Sequence, residues 1–229
     1  MCYTPPVSFA TAFIEFALAI YMRVRYGQAR MVKFGSALLL LLGSYQISEF
    51  FLCTTTYSEL WTKWGFVSYS FLPAVGLHYV LFQLRRKVTT THLAFIYVVP
   101  VLALLASIAP DVIVTQSWCN EVFITAHIFP ATDYGMLTFW IYSTYYAGFI
   151  MAASVLSINA FIAARKTQDR MQYVYFPLGI TLMTVPTFLF LVVFPHFGFR
   201  FPSILCHFGL LLAACLFAGV RHDELKRKN

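Results

Sequence analysis

Residues 30–53 read RMVKFGSALLLLLGSYQISEFFLC. Two cations, Arg30 and Lys33, open the stretch, and an almost unbroken apolar run then carries it to Cys53. A hydrocarbon layer about 30 Å thick is crossed by a helix of roughly 20 such residues, because no water inside it can satisfy an unpaired backbone N–H or C=O. The stretch therefore reads as a membrane-spanning helix with a basic flank. The same pattern recurs along the chain and predicts spans near 7–22, 32–53, 64–84, 93–109, 136–164, 173–194 and 201–220. The expected fold is all-α, a single seven-helix transmembrane domain over residues 1–229. Pro100 in the fourth span, and Pro177 with Pro186 in the sixth, are expected to kink their helices.

The cations fix the orientation. Of the 16 Lys and Arg residues, all but Lys63 and Arg200 fall in alternate gaps: Arg23, Arg25, Arg30 and Lys33; Arg85, Arg86 and Lys87; Arg165, Lys166 and Arg170; and the tail Arg221, Lys226, Arg227 and Lys228. By the positive-inside rule the amino terminus lies outside and the carboxyl terminus in the cytoplasm. A basic cytoplasmic rim facing anionic membrane lipid accounts for the net charge of +7, and no nucleic-acid partner is needed to explain it.

Composition agrees, with 60% hydrophobic residues, 11% charged residues and a mean hydropathy of +0.72. Little is left for a soluble domain. The longest connection, near 110–134, is external and long enough to fold over the bundle mouth. The first apolar run has its basic residues after it rather than before it, so it is expected to be the first span and not a cleavable signal. His222-Asp223-Glu224-Leu225 resembles a lumenal retrieval signal, but its cytoplasmic placement argues against that use.

Ionisable groups inside a bilayer are costly and point to function or to interhelical hydrogen bonds. Glu15 falls near the middle of span one, and Glu49 in the outer third of span two, three residues after Gln46. That spacing places the Gln46 amide and the Glu49 carboxyl on one helix face. Glu49 is read evenly as a ligand anchor or as a protonated hydrogen-bonding link between helices, and Glu15 leans toward the second role. His207 stands beside Cys206 near the outer end of span seven, and Cys2 lies on the same side. A thiol, an imidazole and a carboxylate at one depth are the ingredients of a transition-metal site formed by Cys2, Glu49, Cys206 and His207, the minority reading beside a hydrogen-bonded interior histidine. His78 lies near the other surface and reads as helix packing or as part of a proton path, with packing favoured. Hydroxyls in the outer halves of spans three and five complete the candidate lining, so the expected outward-facing ligand pocket comprises Gln46, Glu49, Tyr69, Tyr142, Tyr145 and His207. Among the five cysteines, Cys119 in the external connection is expected to pair with Cys53 or Cys2, and Cys215 to act as an apolar filler.

The opening Met1-Cys2-Tyr3-Thr4, the segment Gly43-Ser44-Tyr45-Gln46-Ile47-Ser48-Glu49 and the run Ser203-Ile204-Leu205-Cys206 together resemble an uncharacterised family of small bacterial seven-span proteins. That family begins Met-Cys-Phe-Ser-Ala, carries Gly-x-x-Gln-x-x-Glu in its second span and opens its last span with Trp-Cys. This chain departs where Leu205 stands for the Trp and where Pro5 and Pro6 follow the opening. The resemblance implies that Cys2, Glu49 and Cys206 belong together, and it implies no known activity.

Other seven-span classes fit less well. A retinal protein needs a lysine inside its last helix, and Lys33, Lys63, Lys87, Lys166, Lys226 and Lys228 all lie outside the span interiors, so retinal is not expected as a cofactor. The Asp-Arg-Tyr and Asn-Pro-x-x-Tyr signatures of G-protein-coupled receptors are absent. Membrane hydrolases similar to ceramidase use paired histidines on the last span, where this chain has His207 alone. The amino-terminal membrane parts of some bacterial sensor kinases share the layout. With no kinase or cyclase domain following in the sequence, a signal is expected to pass through a partner protein. The reading that results is a receptor-like or accessory protein binding a small ligand, a lipid or a metal ion in the outer pocket. The alternative is a membrane-embedded metal-dependent hydrolase or redox enzyme using Cys2, Glu49, Cys206 and His207.

Overall fold

The computed structural model describes residues 4–27, 29–109, 116–119, 124–127, 133–164, 171–188 and 205–228. Seven helices follow the apolar runs: α1 (Thr4–Tyr26), α2 (Arg30–Thr54), α3 (Ser58–Gln83), α4 (Thr90–Ile108), α5 (Asp133–Ala163), α6 (Gln172–Phe188) and α7 (Leu205–Lys228). Between α4 and α5 two short strands, β1 (Gln116–Cys119) and β2 (Ile124–His127), pair antiparallel with Gln116 opposite His127. Among the described residues, α1 to α5 are long and apolar enough to cross a membrane. The described part of α6 has 17 residues, and α7 ends in the basic tail.

Short turns alternate the helix directions. Gly27 makes the first turn possible, with a φ of 74° that an L side chain would strain. At the opposite bend a capping box closes the start of α4, where the Thr89 hydroxyl accepts from the His92 N–H and the His92 ring accepts from the Thr89 N–H. The ends of α1 and α3 meet the starts of α2 and α6, as two contacts record: Arg23 Nε donates to Ser36 Oγ at 2.7 Å, and Gln83 Nε2 donates to the Gln172 carbonyl at 2.7 Å. Arg23, Arg25, Lys33, Arg85, Arg86, Lys87 and Arg221 thus gather at one end of the bundle, the end that the positive-inside rule assigns to the cytoplasm. Arg165, Lys166 and Arg170 lie outside the described residues.

The helices form a ring. α1 lies between α2 and α7, α2 meets α3, α3 meets α5, α5 meets α6, and α6 returns to α7, while α4 sits outside against α3. Leu39, Leu42, Val80, Phe176, Leu212 and Leu216 are among its buried core. The outer faces of α4 and α5 remain apolar, with Phe95, Leu102, Trp140, Met151 and Ile158 exposed, as helices facing lipid require. Pro100, Pro177 and Pro186 lie inside α4 and α6 as expected, and α3 also continues through Pro73. The Thr181 hydroxyl donates to the Pro177 carbonyl at 2.8 Å, the kind of side-chain bond by which proline is tolerated in a membrane helix.

Candidate functional site

On α1, Ser8, Thr11 and Glu15 recur at three- and four-residue spacing and form one buried polar stripe. On α2, Gln46 and Glu49 form a second buried stripe. The two stripes face each other: Ser8 Oγ donates to Glu49 Oε2 at 3.2 Å. One turn before Gln46, Gly43 receives the Phe16 ring, which lies 2.8 Å from where a Cβ would stand. The missing side chain at Gly43 lets α1 approach α2, which gives the Gly43-x-x-Gln46-x-x-Glu49 spacing a physical reason.

The third wall is α7. A Cβ on Gly209 would stand 3.2 Å from Glu15 Oε1 and 3.4 Å from Gln46 Nε2, so both side chains converge on this glycine. Glu15 is fully buried, and among the described residues its two carboxyl oxygens and Gln46 Oε1 have no hydrogen-bond partner. Glu15 and Glu49 are also within electrostatic reach of each other. Three unpartnered acceptor oxygens beside a second carboxyl group form an arrangement that a proton, an ammonium group or a hard cation satisfies, since leaving such groups bare in a dry interior is costly.

The structure therefore brings Gln46 and Glu49 together and adds Glu15, for which the sequence favoured a linking role between helices. Ser8, Thr11 and Gly209 were not anticipated, although the Ser8, Thr11, Glu15 spacing is a readable stripe. Cys2 and the side chains of Cys206 and His207 lie outside the described residues, so the proposed metal set is represented by Glu49 alone. Among the described residues no group of three or more His, Cys, Asp or Glu side chains is placed to hold a metal.

The tyrosines occupy another seam. Tyr69 of α3 stacks on Tyr146 of α5 with ring centroids 4.2 Å apart. Tyr142 shares a 3.0 Å hydrogen bond with Ser70, and the Tyr145 hydroxyl donates to the Ser70 carbonyl at 2.7 Å. Tyr142 and Tyr145 thus fasten α5 to α3. Tyr69 and Tyr146 instead border an apolar chamber of about 320 Å³ at the centre of the ring, walled by Leu38, Leu42, Phe176 and Leu212. His78 shares a 3.0 Å hydrogen bond with Tyr97 and lies against Phe34, a packing role as expected. Cys53 is disulfide-bonded, Cys215 is free, and β1, which ends at Cys119, lies against α2 and α3.

Residues 7–225 match the family model of the N-terminal 7TM region of histidine kinase. No curated protein matches the chain. The matched range begins after Met1-Cys2-Tyr3-Thr4, so it supports the seven-span part of the resemblance noted above and leaves its opening motif unaddressed. Seven apolar helices with a basic cytoplasmic end, matched from the first helix into the last, make this an integral multi-pass membrane protein that belongs to the family of N-terminal seven-transmembrane regions of histidine kinases.

Proposed function

We propose that this chain is a membrane-embedded sensing domain whose acid pocket, framed by Ser8, Glu15, Gln46, Glu49 and Gly209, takes a small cationic ligand: an ammonium group or a hard metal cation. The observation that carries the reading is the buried Glu15 carboxyl group with both oxygens unpartnered among the described residues, beside Glu49. Carboxyl, amide and hydroxyl oxygens are ligands for hard cations and acceptors for ammonium groups, whereas soft metals prefer thiolate. The family match supports the sensing role, and the acid pocket supplies its input.

The output runs along α1 and α7. Both helices descend from the pocket to the basic end, and Gly209 lies twelve residues above Arg221, or about 18 Å at 1.5 Å per helical residue. A cation that draws Glu15 and Gln46 toward itself changes how α7 seats at Gly209. That displacement reaches the cytoplasmic surface as a shift of the α7 end, where a signalling partner reads it.

The test is thermal unfolding of detergent-purified protein with methylammonium, sodium or calcium at fixed ionic strength, using bulky tetraethylammonium as the control. A ligand that binds only the folded state raises Tm with concentration. At least one of the three small cations should do so for the wild type, with the increase lost in Glu15→Gln and Glu49→Gln. No increase with any of them, or equal increases in both variants, removes the proposal.

A further inference from the structure

We infer that the cytoplasmic end of the α1–α7 seam is a binding site for one phosphodiester monoanion, supplied by the headgroup of an anionic phospholipid. A pocket of about 290 Å³ opens there between Arg25 and Tyr26 of α1 and Arg221 and Glu224 of α7. Among the described residues neither Arg25 nor Arg221 has a hydrogen-bond or ion-pair partner, although both border the same space. Arg23, on the same helix as Arg25, differs: it donates to Ser36. Two guanidinium groups bordering one pocket offer planar pairs of donors suited to the oxygens of a phosphate.

The rest of the wall fits a lipid rather than a free anion. Tyr21, Tyr26 and Phe217 form a ring cluster with centroid separations of 6.0 to 6.4 Å. Tyr21 is about half exposed, so the cluster has an open side facing the membrane. This is the depth at which amphipathic rings contact the glycerol region of the inner leaflet, directly beside the two cations that meet the phosphate. Basic pockets between helices at the cytoplasmic side are a recurrent way of holding anionic headgroups. Glu224 also borders the pocket, and a carboxyl group there weighs against a doubly charged phosphomonoester. This site is independent of the acid pocket, although the same two helices frame both.

The experiment is native mass spectrometry of the full chain released from micelles doped with phosphatidylglycerol or with phosphatidylcholine. The wild type should retain one phosphatidylglycerol and no phosphatidylcholine. The Arg25→Gln, Arg221→Gln double variant should retain it at least about tenfold more weakly, in line with roughly 1 kcal/mol for each cation near the surface. Arg86→Gln, which removes an exposed charge at the same end of the bundle, should leave retention unchanged. Folding of each variant is checked by Tm, and the single variants carry the test if the double variant is unstable. Equal loss in Arg86→Gln, or equal retention of both lipids, overturns the inference. Displacement of the lipid by millimolar inorganic phosphate or glycerol phosphate also overturns the lipid assignment, because the anion alone would then suffice.

Discussion

Glu15 Oε1 lies 3.2 Å from the point that a Cβ on Gly209 would occupy, so the carboxyl group of α1 rests against the bare backbone of α7. Gly209→Ala therefore intrudes on the acid pocket from its third wall. The Glu15 side chain must give by a few tenths of an ångström, while Gln46 Nε2 at 3.4 Å comes into ordinary contact, a change costing up to about 1–3 kcal/mol by the usual scale of overpacking. The expected outcome is a folded protein whose cation-dependent Tm increase is reduced; an unchanged increase in the titration would show that Gly209 does not border the ligand.

Gly179 and Gly148 offer a contrast in helix contacts. A Cβ on Gly179 would stand 2.8 Å from Leu212 Cδ1, 2.9 Å from Cys215 Cβ and 3.3 Å from the Leu212 Cα, whereas Gly148 has nothing within 4 Å. Gly179→Ala should lower stability by about 1–3 kcal/mol by forcing α6 away from α7. Gly148→Ala should be neutral or slightly stabilising, since alanine costs less helix entropy by up to about 1 kcal/mol. Denaturation of the two variants in one detergent gives the comparison, and equal effects would mean that the α6–α7 contact is not close.

Tyr145 is buried and its hydroxyl holds the Ser70 carbonyl at 2.7 Å. Tyr145→Phe keeps the ring and removes that bond, so it should cost about 1 kcal/mol. Because the contact belongs to the α3–α5 seam, the variant should bind cation as the wild type does. A loss of binding without loss of stability would instead draw Tyr145 into the ligand site.

The thiols differ in state. Cys53 is disulfide-bonded and Cys215 is free. Alkylation under denaturing, non-reducing conditions followed by peptide mass mapping should modify Cys215 and spare Cys53, and prior reduction should expose both. Modification of Cys53 without reduction would contradict the structure.

The bundle was legible because long apolar runs and alternating cations act through length and sign, which need no knowledge of neighbours. Gln46 and Glu49 were legible as a pair because their spacing is local. What stayed hidden was rotation. A helix that is apolar on every side gives no moment to show which face turns inward, so the hydroxyls of Tyr69, Tyr142 and Tyr145 looked available to the acid pocket when two of them fasten α5 to α3. Glu15 suffered the opposite fate: alone in span one it resembled a linking residue, and only the approach of α2 and α7 reveals its bare oxygens. Gly209 was silent for the same reason, since a glycine that makes room is visible only once its neighbours are in place.

A cation that meets Glu15 and Glu49 in one buried pocket must perturb both carboxyl groups, and infrared difference spectroscopy of the carboxyl bands on adding the stabilising cation reads that contact itself. The expected result is a cation-induced carboxyl band change in the wild type that is altered in Glu15→Gln and again in Glu49→Gln, with both variants folded. A band change that survives intact in both variants, or binding with no carboxyl change at all, would contradict it.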